Sequence, residues 1–167
     1  MNDALTRARA FAVLTHGEQK YGDQPYSVHL DAVVEILVPF GEEARVVGYL
    51  HDVAEDTPVT LETLRDEFGE RVAKLVGLVT DEPGKNRRER KARTNAKLAA
   101  VGAEDALALI VKAADRLANL RASAKGGPDS KLGMYRREHP EFRQAAFRPG
   151  LCDDLWREID EIISPRV

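Results

Sequence analysis

Three short groups of residues in this chain are able to bind a metal ion or move a proton. His51 and Asp52 are adjacent at the end of an apolar stretch, and Glu55 follows three residues later. His29 and Asp115 each lie within a predicted apolar helix, where a polar side chain is unexpected. Two imidazoles and two carboxylates form a mixed nitrogen and oxygen donor set, which suits Mn²⁺, Fe²⁺, Co²⁺ or Zn²⁺ better than Ca²⁺. A transition-metal site is therefore one interpretation, to be weighed against purely structural roles.

Asp115 interrupts the most apolar segment of the chain, residues 106–120. Apolar residues surround most of this predicted helix, so we expect it to be buried in the middle of the fold. A buried carboxylate needs a cationic partner or a metal ion, because leaving it bare is costly. Asn119 lies one turn later on the same face. A structural ion pair with a residue such as Arg116 explains Asp115 equally well, so both interpretations stay open.

His29 lies on the apolar stripe of its own predicted helix. Val33, Ile36, Leu37 and Phe40 share that stripe, so the imidazole should point toward the core. A single histidine in such a place is more often a hydrogen-bonded core residue than a metal ligand. Taken alone, His29 therefore favours the structural interpretation.

Helical spacing of apolar residues runs through almost the whole sequence, and no strand-like alternation persists. The pattern predicts an all-α fold. Glycine and proline mark a loop at residues 21–26 and a linker at 125–128. We predict one domain overall, with a core over residues 1–122 and a C-terminal helical extension over 123–167. The predicted helices cover residues 3–20, 27–39, 42–52, 60–69, 70–80, 87–100, 103–122, 130–138, 141–147 and 151–163.

Length and composition restrict the class of protein. The chain has 167 residues, 25 basic and 28 acidic side chains, and a formal net charge of −3. This balance does not indicate binding to nucleic acid or to an anionic membrane. No apolar run reaches the roughly 20 residues of a membrane span, and no signal peptide is visible at the N-terminus. The single Cys152 excludes an intramolecular disulfide framework. We expect a cytoplasmic protein.

A basic run lies between the groups that carry histidine and aspartate. Arg87, Arg90 and Lys91 follow the i, i+3, i+4 spacing and therefore share one helix face. Guanidinium groups in such an arrangement suit a polyphosphate. A solvated helix face is the ordinary alternative. A nucleic-acid surface is a third interpretation, but no aromatic residues are interleaved with the run.

The other histidines and the cysteine receive structural interpretations. His16 lies toward the end of the first predicted helix, where we expect a structural or supporting role. His139 precedes Pro140 and is expected in a surface turn. Cys152 has no histidine and aspartate context typical of a nucleophile.

In order and spacing, these motifs resemble the HD-domain metal-dependent phosphohydrolases, and among them the small RelA/SpoT-type alarmone hydrolases. The resemblance covers about residues 8–122. It is strongest in the segments with the patterns His-Asp-x-x-Glu-Asp-Thr and Lys-x-x-Asp-Arg-Leu-x-Asn. The matching segments are His16–Gln19, Pro25–His29, His51–Thr57, Phe68–Val76, Val79–Asp81 and Val111–Arg121.

The resemblance implies a role for each of these candidate residues. It implies an all-α HD-domain helical bundle around a metal ion, most commonly Mn²⁺ with another divalent transition metal possible. Glu55 and Asp56 are implied to manage the attacking water. The implied metal ligands are His29, His51, Asp52 and Asp115, and the implied substrate-binding residues are Lys20, Tyr21, Arg87, Arg90, Lys91 and Asn119.

The activity that the resemblance implies is metal-dependent removal of the 3′-pyrophosphate from (p)ppGpp-like nucleotides, with a small nucleotide as the substrate. The chain departs from the family pattern in a shorter loop before Tyr26, in Ala122 and in Leu30. An HD-domain phosphohydrolase that acts on ppApp, a nucleoside monophosphate or a similar nucleotide is therefore the alternative. A non-catalytic nucleotide sensor is a third hypothesis, although no ligand or water-handling residue is missing.

Overall fold

A computed structural model describes residues 4–127 and 130–164 of the chain. In this part the fold is all-α, as predicted, apart from one small hairpin, and none of the described helices is long and apolar enough to cross a membrane. Short 3₁₀ turns occur at Val38–Phe40 and Ala103–Asp105. The elements are α1 (Ala4–His16), β1 (Lys20–Tyr21), β2 (Gln24–Pro25), α2 (Ser27–Ile36), α3 (Glu42–Leu50), α4 (Val53–Asp56), α5 (Leu61–Phe68), α6 (Glu70–Val79), α7 (Arg87–Ala99), α8 (Leu107–Ala124), α9 (Leu132–Ala146) and α10 (Asp153–Ile163).

Helix α8 forms the centre of the fold, as its composition predicts. It contacts α2, α3, α6, α9 and α10. Leu109, Val111 and Leu117 have 0–1% of their surface exposed. Burying each such side chain contributes about 1.5–3 kcal/mol. Helix α8 is therefore firmly packed and can hold its polar side chains in fixed positions.

Helices α2 and α3 approach each other closely where Gly48 lies. A Cβ atom at this position would lie 2.6 Å from Leu37 Cδ1 and 3.3 Å from Val34 Cγ2. Glycine therefore allows the two helices to meet, and this contact brings the end of α3 beside α2.

The loop predicted at residues 21–26 contains a two-stranded antiparallel hairpin. Tyr21 pairs with Gln24 across a two-residue turn, and Gly22 in that turn has φ +63°. Glycine at the first turn position is the usual solution for such a hairpin. Each strand has only two residues, which is too short to produce an alternating pattern in the sequence.

The C-terminal part packs directly on the rest of the fold. Helix α9 contacts α7 and α8, and α10 contacts α8. Trp156 and Ile159 bury the apolar face of α10. Helix α8 continues to Ala124, so the predicted core boundary at residue 122 falls within its last turn. The division into 1–122 and 123–167 stays a prediction, and Pro128 of the predicted linker lies outside the described residues.

Two predictions in the C-terminal part are wrong. The helices expected at 130–138 and 141–147 are one continuous helix, α9, with Pro140 inside it. Proline inside a helix costs about 3 kcal/mol or more. The helix continues because Tyr135 and Phe142, seven residues apart on one face, are both buried. His139 consequently lies within α9, partly buried, with its Nε2 atom 2.8 Å from Asp160 Oδ1, and not in a surface turn.

Candidate metal centre and active site

Four side chains from separate parts of the chain meet between α2, α3 and α8. His29 comes from α2, His51 and Asp52 from the junction of α3 and α4, and Asp115 from the middle of α8. His29 Nε2 lies 3.1 Å from Asp115 Oδ1, and His51 Nε2 lies 2.9 Å from Asp52 Oδ2. The crossed pairs, His51 with Asp115 and His29 with Asp52, are 3.5 and 3.8 Å apart. His29 and His51 are 2% and 1% exposed.

The junction between α3 and α4 lets adjacent residues face the same point. Helix α3 ends at Leu50, and α4 begins at Val53. Asp52 between them has φ −102° and ψ −3°, which departs from regular helical values. The change in backbone direction turns both His51 and Asp52 toward Asp115.

The orientation of His51 shows that the cluster fits a metal ion. Its Nδ1 atom lies 2.7 Å from the carbonyl oxygen of Gly48, which accepts hydrogen bonds and cannot donate them. Nδ1 therefore carries the proton in the neutral ring, and the lone pair of Nε2 faces the carboxylates. His51 Nε2 is buried without a hydrogen-bond partner among the described residues.

The spacing of the donor atoms also fits a divalent ion. Candidate ligand atoms of His29, His51 and Asp52 lie within 4.8 Å of one another. Ligands bound at about 2.0–2.2 Å from a common ion stand about 3 Å apart, close to the separations observed here. The His-His-Asp group is therefore able to hold a divalent metal ion, and the Asp115 carboxylate faces the same point.

Electrostatics favour a cation at this position. Burial opposes protonation of His51, but the Asp52 and Asp115 carboxylates outweigh it and raise the pKa of His51 well above its usual value. Burial likewise opposes ionisation of Asp52, but His51 outweighs it and lowers the pKa of Asp52 to about 2. The two carboxylates thus remain ionised and attract a positive charge, either a proton or a metal ion.

Tyrosine and asparagine side chains support the ligands from outside. The Tyr26 hydroxyl donates to Asp52 Oδ2. Asn119 Nδ2 donates to Asp115 Oδ1 at 2.8 Å, and Tyr21 donates to Asn119 Oδ1 at 2.8 Å. The Tyr21 ring also stacks on His29 at 4.8 Å between centroids. Burial, with further contributions from nearby charged groups, raises the pKa of Tyr21 to about 12, so its hydroxyl stays a donor.

Glu55 and Asp56 lie on α4, one turn after Asp52, and both line the cavity next to the metal ligands. The backbone N–H of Asp81 donates to Glu55 Oε2 at 3.0 Å. Desolvation and the neighbouring Asp81 carboxylate raise the pKa of Glu55. Asp56 Oδ2 accepts from Gln19 Nε2 at 2.8 Å.

The basic run divides between the cavity and the surface. Arg87 and Lys91 line the cavity, whereas Arg90 is not among its lining residues. Lys91 Nζ lies 2.5 Å from Asp81 Oδ2, and Lys112 Nζ lies 3.0 Å from Asp81 Oδ1. Burial opposes ionisation of Asp81, but Lys112 and Lys91 outweigh it and lower the pKa of this carboxyl. Both lysines therefore stand against the cavity as cations held by one carboxylate.

Two basic residues of α8, Lys112 and Arg116, lie at the site, although the sequence suggested no role for Lys112 and only a pairing with Asp115 for Arg116. Lys112 is 8% exposed and lies one turn before Asp115. The spacing of these two polar residues along α8 could have indicated that Lys112 lies on the same face as Asp115. Arg116 is 6% exposed and lies over the rings of Tyr135 and Phe142, at 4.7 and 4.3 Å. Its Nη2 lies 3.5 Å from Glu138 Oε2. In the described structure Asp115 faces histidines and Asn119, so the Asp115–Arg116 ion pair is not the observed arrangement.

Most of these groups border one cavity of about 750 Å³, whereas His51, Arg90 and Glu138 are not among its lining residues. This volume lies within the range of about 300–1,000 Å³ that is typical of small-molecule sites. Its wall combines the hairpin, α4, α7, α8 and the start of α9. The lining residues include Gln19, Lys20, Tyr21, His29, Asp52, Glu55, Asp56, Asp81, Arg87, Lys91, Lys112, Asp115, Arg116, Asn119, Lys131 and Tyr135.

Comparison with known proteins agrees with this geometry. Residues 5–141 match the model of the HD domain family. A guanosine-3′,5′-bis(diphosphate) 3′-pyrophosphohydrolase of Aquifex aeolicus is 38% identical over 122 residues, which cover 71% of this chain and 18% of that protein. A probable enzyme of the same name from Synechocystis is 32% identical over 164 residues, covering 95% of this chain and 21% of that protein. The chain thus spans about a fifth of the length of these curated relatives.

A solved structure resembles the fold over nearly its whole length. It belongs to a metazoan ortholog of SpoT described as hydrolysing ppGpp, with a TM-score of 0.81 and 26% sequence identity. The match covers 95% of this chain and 93% of that one. The resemblance to RelA/SpoT-type proteins is therefore confirmed in both sequence and fold. From the matched family model and the shared arrangement of helices, the chain belongs to the HD domain family.

Proposed function

We propose that this chain is a metal-dependent hydrolase that removes the 3′-pyrophosphate from (p)ppGpp-like alarmone nucleotides. The observation that carries the proposal is the convergence of His29, His51, Asp52 and Asp115 beside a cavity that basic side chains also line. The names of the curated relatives and the ppGpp-hydrolysing structural neighbour support the same reaction.

The four converging side chains would hold the metal ion. Mn²⁺ is the proposed ion, because the mixed nitrogen and oxygen donor set suits a divalent transition metal. A divalent ion bound there lowers the pKa of a water molecule and screens the charge of the phosphates. His51 can supply its Nε2 lone pair without rearrangement, because its Nδ1–H already donates a hydrogen bond to the Gly48 carbonyl oxygen.

Glu55 and Asp56 are the proposed catalytic carboxylates. Glu55 Oε2 is held by the backbone N–H of Asp81, which leaves Oε1 to accept the proton of the attacking water. The water oxygen then bonds to the phosphorus, and the bond from phosphorus to the ribose 3′ oxygen breaks. The 3′ oxygen takes up one proton, which balances the proton that Glu55 removed from the water, and the products are pyrophosphate and a 3′-hydroxyl nucleotide. Asp56 is proposed to orient the same water.

The basic wall is the proposed phosphate subsite. Arg87, Lys91 and Lys112 face the cavity as cations, and multiple cationic donors match the charge of a pyrophosphate. Tyr21 and Lys20 on the hairpin are proposed to contact the base, and Asn119 the ribose or a phosphate. Arg90 lies outside the lining, so its role at the substrate rests on the sequence pattern alone.

The direct test is a substrate panel with purified protein, Mn²⁺ and separate detection of pyrophosphate and phosphate. The proposal predicts that ppGpp yields pyrophosphate and GDP, and that Glu55→Gln slows the release by about 10²–10⁴-fold. Faster turnover of ppApp, or phosphate release from a nucleoside monophosphate, would favour the alternative, an HD-domain phosphohydrolase that acts on another nucleotide. The shortened loop before Tyr26 is the reason for including these substrates. Nucleotide binding without turnover of any substrate would indicate a sensor and contradict the proposed hydrolysis.

A further inference from the structure

A hydrogen-bonded chain connects the end of α1 to the catalytic carboxylates. Gln19 Nε2 lies 2.8 Å from Asp56 Oδ2, and Gln19 Oε1 lies 2.8 Å from His16 Nδ1. The main chain of Gln19 is held as well. Its N–H donates to the His16 carbonyl at 3.0 Å, and its carbonyl accepts from the Tyr26 N–H at 3.1 Å. Both the oxygen and the nitrogen of the Gln19 side-chain amide therefore have partners, and the main chain of Gln19 is fixed too.

The chemistry of the two partners decides how the amide is oriented. An ionised Asp56 carboxylate only accepts hydrogen bonds, so the Gln19 NH₂ group must face it. The Gln19 oxygen then faces His16, whose Nδ1 must carry a proton. His16 is 6% exposed, and its Nε2 has no hydrogen-bond partner among the described residues. His16 is thus assigned with a proton on Nδ1.

Asp56 depends on this contact because its side chain is exposed at the cavity rim. Among the described residues, Gln19 is the one side chain that donates a hydrogen bond to the Asp56 carboxylate. His16, in turn, packs its ring against Tyr26, with centroids 4.5 Å apart. Tyr26 donates to the metal ligand Asp52, so His16 is fixed by the same aromatic group that supports the metal site.

We propose that Gln19 is a positioning residue for Asp56 and that His16 fixes the direction of the Gln19 amide. The proposal rests on the proposed function, since it assumes that Asp56 orients the attacking water. Gln19 restrains the Asp56 carboxylate before the substrate arrives, so Asp56 is already oriented to position the attacking water in each turnover. Removing the restraint should lower kcat and leave the affinity for the substrate phosphates unchanged.

Two Gln19 variants and one control test this role. Gln19→Ala removes the donor, and Gln19→Glu replaces it with a group that repels ionised Asp56. We expect each variant to lower kcat by about 10–100-fold, the usual effect of losing a partner that orients a site residue. KM and the bound metal content should stay at the wild-type values. The control is Gln24→Ala, on the hairpin that follows Gln19 but outside the cavity lining, and it should retain wild-type kcat.

The pH profile distinguishes positioning from a general structural defect. In the Gln19→Glu variant, the introduced carboxyl group regains the ability to donate to Asp56 once it is protonated. The deficit of this variant relative to wild type should therefore shrink as the pH is lowered, whereas the deficit of Gln19→Ala should not follow this course. A deficit of the two variants that is identical at every pH, or that appears in KM instead of kcat, would overturn the proposal.

His16 allows a test by rescue. An asparagine side chain places an NH₂ group near the position of His Nδ1, so His16→Asn keeps a donor toward Gln19 Oε1. His16→Leu removes it. We expect His16→Asn to retain most of the wild-type kcat and His16→Leu to resemble Gln19→Ala. Equal losses in both variants would contradict the role of the His16 donor.

An NMR measurement tests the same hydrogen bonds without a substrate. The ¹⁵N spectrum of the Zn²⁺-loaded full chain should show His16 protonated at Nδ1, and Gln19→Ala should shift the His16 signals while Gln24→Ala leaves them in place. His139 is an internal reference with the opposite arrangement, since its Nε2 faces Asp160. A His16 ring protonated at Nε2, or one insensitive to Gln19→Ala, would overturn the proposal. If wild-type protein releases no pyrophosphate from ppGpp, the proposed function fails separately, and the NMR result still decides whether His16 fixes the direction of the Gln19 amide.

Discussion

Arg87 and Glu138 form a two-point ion pair that joins the basic helix α7 to the C-terminal helix α9. Arg87 Nε lies 2.6 Å from Glu138 Oε1, and Arg87 Nη2 lies 3.2 Å from Glu138 Oε2. Glu138 also lies near Arg116 and is only partly exposed. The pair fixes Arg87 at the cavity wall, so this part of the basic run is not simply a solvated helix face.

Replacing Arg87 should weaken substrate binding. We expect Arg87→Ala to raise KM for ppGpp by about 10–100-fold, because a charge-assisted hydrogen bond contributes about 1.5–3 kcal/mol. The effect should decrease at high salt. The matched control is Arg88→Ala, since Arg88 is exposed and does not line the cavity. Steady-state kinetics of the two variants at low and high salt make the comparison. Equal KM values would show that the basic run is a solvated helix face and does not bind substrate.

Glu138 should make the stability of the protein depend on pH. Partial burial raises the pKa of Glu138, but the Arg87 and Arg116 guanidinium groups outweigh this effect and hold it below its usual value of 4.5. A carboxyl with a depressed pKa stabilises the fold above its unfolded pKa and loses this contribution as the pH falls through its folded pKa. Glu138→Gln should therefore be about 1–3 kcal/mol less stable than wild type at pH 7.

Urea unfolding at several pH values measures this difference. The gap between wild type and Glu138→Gln should stay constant above pH 4.5 and close as the pH falls below it. A gap that persists unchanged at the lowest pH at which both proteins fold would show that the ion pair is not its source.

One variant should lose the metal ion, and another should keep it but lose turnover. Asp115→Ala removes a carboxylate that faces both histidines, so it should lower metal affinity by more than about 100-fold, beyond the loss typical of outer partners. Glu55→Gln should keep the metal and lower kcat by about 10²–10⁴-fold, as expected for a general base. Metal analysis of the dialysed proteins, with kinetics on the same samples, checks both. Full turnover by Glu55→Gln would exclude Glu55 as the base.

Cys152 should be chemically inert in the folded protein. Its side chain is 5% exposed, and burial raises the pKa of the thiol to about 11. Thiol reagents at pH 8 should therefore react with it much more slowly than with the unfolded chain. Labelling with and without urea measures the ratio, and rapid labelling of the native protein would contradict the buried position.

Polar residues in apolar surroundings were the clearest indication of the site in the sequence. Asp115 within an apolar helix and His29 on an apolar stripe both indicated a buried polar cluster, and the structure brings them within 3.1 Å. The all-α class followed from helical periodicity over most of the chain. Both features depend on local patterns that a single helix displays.

Other parts of the site could not be predicted because they depend on contacts between distant residues. Glu138 meets Arg87 across 51 positions, and Gln19 meets Asp56 across 37, with no local pattern that signals either contact. Helix α9 continues across Pro140 because the packing of Tyr135 and Phe142 outweighs the tendency of proline to end a helix. The hairpin that carries Lys20 and Tyr21 is too short to show alternation.

Pyrophosphate release from ppGpp, with and without metal, shows whether the reaction takes place at this site. Wild-type protein would be assayed with Mn²⁺ and after removal of metal by a chelator, beside Asp115→Ala under identical conditions. We expect the metal-loaded wild type to release pyrophosphate and GDP, to lose this release after chelation and to recover it when Mn²⁺ is returned. Asp115→Ala should give no release. Release that continues in the chelated protein, or in Asp115→Ala at the wild-type rate, would contradict a reaction carried out at this metal site.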